Sequence, residues 1–200
     1  MTDAIETTKT EPAGLINTAT NILLSPGEAF TELQQRPNKL FPLTLIVLST
    51  VAVNFWYFSI VDFAWFIDAT LADSNLDGEQ LEAARENMAS MSQTTFKMFG
   101  VLGGAVGIPV IYVLQSGYLS LISAITGSGQ KFSNWFSLVL WTGLPYMLSV
   151  VGMVATIALS PNGQLSPYDL DPLTLTNLGM QSGNGSLTTI FNSISLPMLW

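Results

Sequence analysis

The 200-residue sequence contains no cysteine and no histidine. Without cysteine there is no disulfide framework, and without either residue there is no Cys/His zinc site. A Ser-His-Asp triad and a Cys-His dyad are excluded with them. Charge is also scarce. Charged residues make up 10% of the chain, against about 25% in an average soluble domain. Six basic residues face fourteen acids, a formal net charge of −8. So few cations on a net-negative chain argue against a nucleic-acid partner, because phosphate neutralisation supplies most of that affinity. Asp3, Glu6 and Glu11 crowd the start, with no basic residues leading an apolar run. A secretory signal is therefore absent from residues 1–20.

What the chain has in abundance is apolar mass. Hydrophobic residues make up 48%, and the mean hydropathy is +0.43. That excludes a disordered chain, which needs low hydrophobicity and high charge. It also leaves too few charges to coat a water-facing surface. The fold class expected is all-α: a polytopic transmembrane helical bundle with N-terminal interfacial helices.

The organisation follows from where the apolar runs fall. Residues 1–12 are polar and read as a disordered tail. Residues 13–37 read as cytoplasmic helices at the membrane surface, with a cap packed on the bundle as the alternative. Within them Ser25, Pro26 and Glu28 have the order of a capped helix start. Residues 38–200 form the transmembrane domain, with spans at about 40–60, 98–125 and 132–159 and the start of a fourth near 187–200. Trp56, Tyr57 and Trp65 lie at or just past the far end of the first span, where an aromatic belt is expected. The stretch 68–97 is acidic, and Asp77 with Gln80 suggests another capped helix. Pro145 falls near the middle of the third span, where it would kink the helix. The loop over 160–186 is rich in Gly, Pro, Asn and Ser and reads as weakly structured. The last apolar run stops at Trp200, so the natural protein is expected to continue into further spans.

Gly100, Gly103, Gly104 and Gly107 stand in the first half of the second span. Gly100/Gly104 and Gly103/Gly107 are overlapping small-xxx-small pairs, which predict a helix-packing face of close backbone approach. Lys9, Arg36, Lys39 and Lys131 fall on one side of a three-span arrangement, and Arg85 and Lys97 on the other. The bias places the N-terminus in the cytoplasm and loops 68–97 and 160–186 outside. Because the chain has no cysteine of its own, single cysteines test this cleanly. Ser90→Cys should react with an impermeant thiol reagent on intact cells, and Ser128→Cys should be protected. The reverse pattern would invert the topology.

Ionisable and polar residues near the spans are the candidates for chemistry. Asp62, with Gln115, is a candidate ion or proton site, since an acid inside a bilayer is costly and usually functional. The competing reading puts Asp62 and Asp68 at a hydrated interface. Asn54, Gln115 and Asn134 are equally explained by hydrogen bonds between helices. Asp73-Ser74-Asn75-Leu76-Asp77-Gly78 copies the front half of a calcium loop. Its twelfth position is Ala84, where strong binding needs a bidentate Glu. No phosphate loop, dinucleotide fingerprint or nucleophile elbow is present. No catalytic residue, cofactor or metal is therefore expected.

Three stretches together are similar to one family. They are Leu24-Ser25-Pro26 through Phe30 and Leu33 to Arg36-Pro37; Gly127-Ser128-Gly129-Gln130-Lys131-Phe132 leading to Leu140, Gly143, Leu144, Pro145 and Tyr146; and Leu196-Pro197-Met198-Leu199-Trp200. In order and spacing the chain resembles the Yip family, the Ypt/Rab-interacting integral membrane proteins, in its prokaryotic form. The resemblance implies five transmembrane helices and a cytoplasmic N-terminus. Eukaryotic relatives work in vesicle traffic and contact Rab GTPases. Their acidic Gly-Pro motif is absent, with Ser25-Pro26-Gly27 near its place. The expected role is non-enzymatic: membrane organisation, trafficking-like scaffolding or association with other membrane proteins, in a bacterial inner membrane. The expected partners are membrane lipids, other membrane proteins or further copies of the chain. A transporter or channel for an ion or small solute is the alternative.

Overall fold

Runs of Leu, Ile, Val, Phe and Ala with almost no charge leave a backbone in lipid only one open structure, the helix. The computed structural model describes residues 14–35, 38–72, 74, 76–160, 162–180 and 185–199. The tail over 1–12, and Arg36, Pro37, Asp73, Asn75 and Trp200, which entered the readings above, lie outside the described residues. The architecture is all-α, with no strand among the described residues. Among the described residues, three helical stretches are long and apolar enough to cross a membrane: Leu40–Ile60, Gln93–Thr126 and Phe132–Leu159.

In chain order the helices are α1 (Leu15–Leu24), α2 (Pro26–Gln35), α3 (Leu40–Ile60), α4 (Phe63–Ala72), α5 (Gly78–Ser90) and α6 (Gln93–Leu102). A π-helical turn over Gly103–Gly107 joins α6 to α7 (Ile108–Thr126). Then follow α8 (Phe132–Thr142), a 3-10 turn over Leu144–Tyr146, α9 (Met147–Leu159), α10 (Gly185–Ser193) and a last 3-10 turn over Leu196–Leu199. Two prolines explain the two irregular turns inside the long stretches. Pro109 has no N–H to give the Ala105 carbonyl, and its ring crowds that carbonyl. The ladder slips to the wider π spacing across three glycines. Pro145 does the same to the Trp141 carbonyl, and the chain tightens into a 3-10 turn closed by Tyr146 N–H on Gly143 O at 3.1 Å.

The three long stretches are staggered. At the far end of α3, the Gln93 side-chain amide donates to the carbonyls of Phe58 (2.9 Å) and Val61 (3.2 Å). At its near end, the Asn38 carbonyl accepts from the Trp141 indole N–H at 2.7 Å and the Ser137 hydroxyl at 2.9 Å. Trp141 therefore stands level with the start of α3, although it lies about nine residues, roughly 14 Å, into α8. The other two stretches continue past α3 as the α7–α8 hairpin. The short helices α1 and α2 fill the place α3 leaves. Ile22, Ala29 and Leu33 are buried with Ile46, Trp141 and Leu144. Leu15, Ile16 and Leu24 of α1 stay exposed. The surface is thus apolar on two sides of α1, one against the bundle and one open to the surroundings.

Beyond α3, α4 turns back and packs on α5. Phe58, Phe63, Phe66 and Phe96 form edge-on and stacked ring pairs there, 5.1 to 5.9 Å between centroids. Arg85 pairs with Asp68 at 2.9 Å, but both are well exposed, so the pair contributes about 0–1 kcal/mol. Asp77 occupies the position before α5 without making a side-chain capping bond; Ser92 does cap α6, accepting from the Thr95 N–H at 3.2 Å.

The segment 162–180 corrects the expectation of a weakly structured loop. It leaves the far end of α9 and descends along the bundle. Gly163 O accepts from the Asp62 N–H at 2.9 Å, Leu165 O from the Tyr57 hydroxyl at 2.8 Å, and the Pro172 ring lies over Gly152. Irregular backbone is tolerated at membrane depth only where its polar groups are satisfied within protein. Here they largely are. The buried Asp171 carboxylate accepts from the Leu173 N–H at 3.0 Å. The Asn177 amide donates to the carbonyls of Tyr168 (3.0 Å) and Asp171 (2.9 Å). Leu175 N–H and Leu196 N–H cross to Ile194 O and Leu173 O at 2.9 and 2.8 Å, which ties the last turn to the descending segment.

Candidate functional site

A cavity of about 390 Å³ opens between α3, α7, α8 and the last 3-10 turn. Ile46, Ile108, Ile111 and Val139 give it apolar walls. Tyr112, Gln115, Thr142 and Tyr146 bring polar atoms to it, and Pro197 and Met198 close one side. Among the described residues, no charged side chain lines it. Its position follows from the two proline irregularities. The π turn sets the phase at which α7 presents Tyr112, and the 3-10 turn swings Tyr146 toward the same space. Gly143 is required at the crossing, because a Cβ there would run into the Tyr112 ring and hydroxyl.

Gln115 stands at this cavity, exposed on its open side. Asp62 does not. It is exposed beyond the far end of α3, where its carboxylate accepts from the Trp65 N–H at 3.1 Å at the start of α4. Its own N–H is the one held by Gly163. The structure therefore does not bring the candidate ion or proton pair Asp62 and Gln115 together, and Asp62 has a local role as a helix cap. Asn54, a second polar residue of the first span, gives its amide to the Thr50 carbonyl of its own helix at 2.9 Å.

The four glycines divide into two pairs. A Cβ on Gly100 would meet Phe58 Cε2 at 2.9 Å and Asn54 Oδ1 at 3.2 Å. One on Gly104 would meet Thr50 Cγ2 at 3.4 Å and Val51 Cγ2 at 3.5 Å. Around Gly103 and Gly107 there is no described atom within 4 Å. In a continuous α-helix Gly107 would return to the line of Gly100 after two turns. The wider π turn removes that coincidence and points it away. Gly104→Leu should therefore cost about 1–3 kcal/mol by overpacking, and Gly103→Leu should stay within about 0.5 kcal/mol, as exposed substitutions do. Melting temperatures in detergent read the difference. Equal losses would mean that both faces are packed.

Of the calcium-like stretch, Asp73 and Asn75 lie outside the described residues, and Asp77 precedes α5. Among the described residues, no group of three or more Asp, Glu, His or Cys side chains is placed to hold a metal ion. The polar cavity residues that sequence reasoning missed are Tyr112 and Thr142. Neither stands in a motif or a period; each gains its place from a proline irregularity.

One family model, the Yip1 domain, matches residues 20–197 of the chain. No curated protein and no solved structure matches it.

Proposed function

The chain belongs to the Yip family, and from this premise we propose that it is a non-enzymatic organiser of the membrane it spans. It works by associating with other membrane proteins or with further copies of itself, in the manner of a trafficking scaffold. The membrane is a bacterial inner membrane, with the N-terminus in the cytoplasm, a placement supported by Arg36 and Lys39 beside the first span.

The observation that carries this reading is the position of Asp62. An ion path needs an ionisable or polar chain through the interior. The carboxylate at the end of the first span is exposed and engaged as a cap, and the cavity at Gln115 has no charged lining among the described residues. The second long stretch meanwhile has half of its positions exposed, Met98, Phe99, Leu102, Val110, Leu114 and Leu121 among them, an apolar surface suited to neighbours in the bilayer.

Proteoliposomes test the proposal. Vesicles containing the protein should show no ion or solute flux above empty vesicles, and copies labelled with donor and acceptor dyes should transfer energy when diluted into excess lipid. Flux that disappears in Asp62→Asn would replace the scaffold with a transporter.

A further inference from the structure

The cavity between α3, α7 and α8 contains polar groups with nothing to bond. Among the described residues, the hydroxyls of Tyr112 and Tyr146 and the side-chain amide of Gln115 have no hydrogen-bond partner, and all three residues line the cavity. Thr142 differs, since its hydroxyl is already spent on the Val139 carbonyl at 2.9 Å. Polar groups at membrane depth are normally satisfied within the protein. Three converging on one space therefore mark the place of a bound polar atom.

We propose that this cavity binds the hydroxyl end of one neutral lipid, entering sideways from the leaflet at the near end of α3. Each part of that statement has its own support. Neutrality follows from the lining, which among the described residues has no Lys, Arg, Asp or Glu to pair with a charged head. A hydroxyl fits because it gives one hydrogen bond and accepts others, and the two tyrosines and the glutamine amide offer both donors and acceptors. A lipid is the occupant because the cavity opens between apolar residues at span depth. Ile111 and Met198, at its rim, are exposed, and Leu114 and Tyr118 continue an exposed apolar line along α7. That line gives the tail a track. The volume, about 390 Å³, is at the small end of ligand cavities and admits a head with the first part of a chain. The wall of Pro197 and Met198 is fixed by the Leu196 N–H bond to Leu173 O, so the descending segment completes the site.

Diacylglycerols and isoprenoid alcohols share this chemistry, and the test separates them. The full chain in lipid nanodiscs is exposed to three photoactivatable probes: a diazirine diacylglycerol, a diazirine isoprenoid alcohol and a diazirine phosphatidylglycerol as the charged control. At least one hydroxyl-headed probe should label peptides containing Tyr112 or Tyr146, be displaced by its unlabelled counterpart and exceed the phosphatidylglycerol control. The probe that does so identifies the source. Tyr112→Phe combined with Tyr146→Phe should reduce the labelling at least about fivefold, the effect of losing a hydrogen bond. Gln115→Leu, at an exposed position, provides a second variant should the double one unfold, and should reduce labelling by a similar factor. Labelling by phosphatidylglycerol equal to that of both hydroxyl probes would overturn the proposal. So would native labelling in a variant that keeps the native melting temperature.

Discussion

Trp141→Ala should destabilise the protein by about 3–5 kcal/mol, the range for removing a fully buried aromatic ring. Trp141 has no exposed surface. Its ring lies 5.9 Å from that of Phe41 and fills the space between Ile22, Ala29, Leu33, Ile46 and Leu144. Within lipid, apolar burial alone gives helices little reason to associate, because acyl chains are as apolar as leucine. Trp141 is placed where that limit does not apply. The faces of α1 and α2 that it touches would otherwise meet water or head groups, so removing the ring loses burial as well as packing. The indole N–H is lost too, although the Asn38 carbonyl keeps the Ser137 hydroxyl. Trp141→Phe separates these contributions. It retains a ring and loses one hydrogen bond, at about 0.5–1.5 kcal/mol plus a packing term. Thermal unfolding in detergent measures both variants. Limited proteolysis of residues 14–35 should accelerate in the alanine variant. A loss below about 1 kcal/mol in Trp141→Ala would show that α1 and α2 do not depend on this contact.

The spans were legible in the sequence because lipid imposes its constraint residue by residue. Leu40–Ile60 has neither charge nor a polar run, and that is sufficient to identify it. The stagger of the spans was not legible, since it rests on Trp141 reaching Asn38 across a separation of 103 residues. The same holds for the segment 162–180. Its composition is that of a flexible loop, and its order comes from Asn177 and Asp171 bonding within it and from Tyr57, 108 residues distant. Such bonds leave no periodic signal. The glycine face was half legible. Spacing identified Gly100 and Gly104 as candidates for close approach, but Pro109 shifts the ladder and takes Gly107 off that line. The candidate site shows the same division. Gln115 is legible as a polar residue in an apolar helix, whereas nothing in the sequence marks Tyr112, and only the turns around Pro109 and Pro145 place Tyr112 and Tyr146 at one cavity.

Gly163→Ala should unfold the descending segment from the bundle, at a cost of about 2–4 kcal/mol. Two effects add. Gly163 has φ +65°, the left-handed region, where a residue with a Cβ is strained by about 1–3 kcal/mol. The Cβ would also strike the Ile60 carbonyl and approach the Asp62 nitrogen to 3.2 Å. These are backbone atoms, so no rotamer change relieves the contact. Nor can the chain simply back away, because the Asp62 N–H donates to the Gly163 carbonyl at 2.9 Å. That bond and the Tyr57 hydroxyl bond to Leu165 O fix the start of the descent, and everything from Ser166 to the bridge between Thr174 and Ser195 follows from it. Gly129→Ala is the control. Gly129 has a similar φ of +69°, with no described atom within 4 Å of a Cβ, so it should show the strain alone. The accessibility of Ser166→Cys, buried in the folded protein, reports the segment directly in a chain without native cysteine. Gly163→Ala should raise its labelling rate and lower the melting temperature more than Gly129→Ala does. If the two glycine variants lose the same stability and Ser166→Cys stays protected, the close approach of residue 163 to the end of α3 is not what holds the segment down.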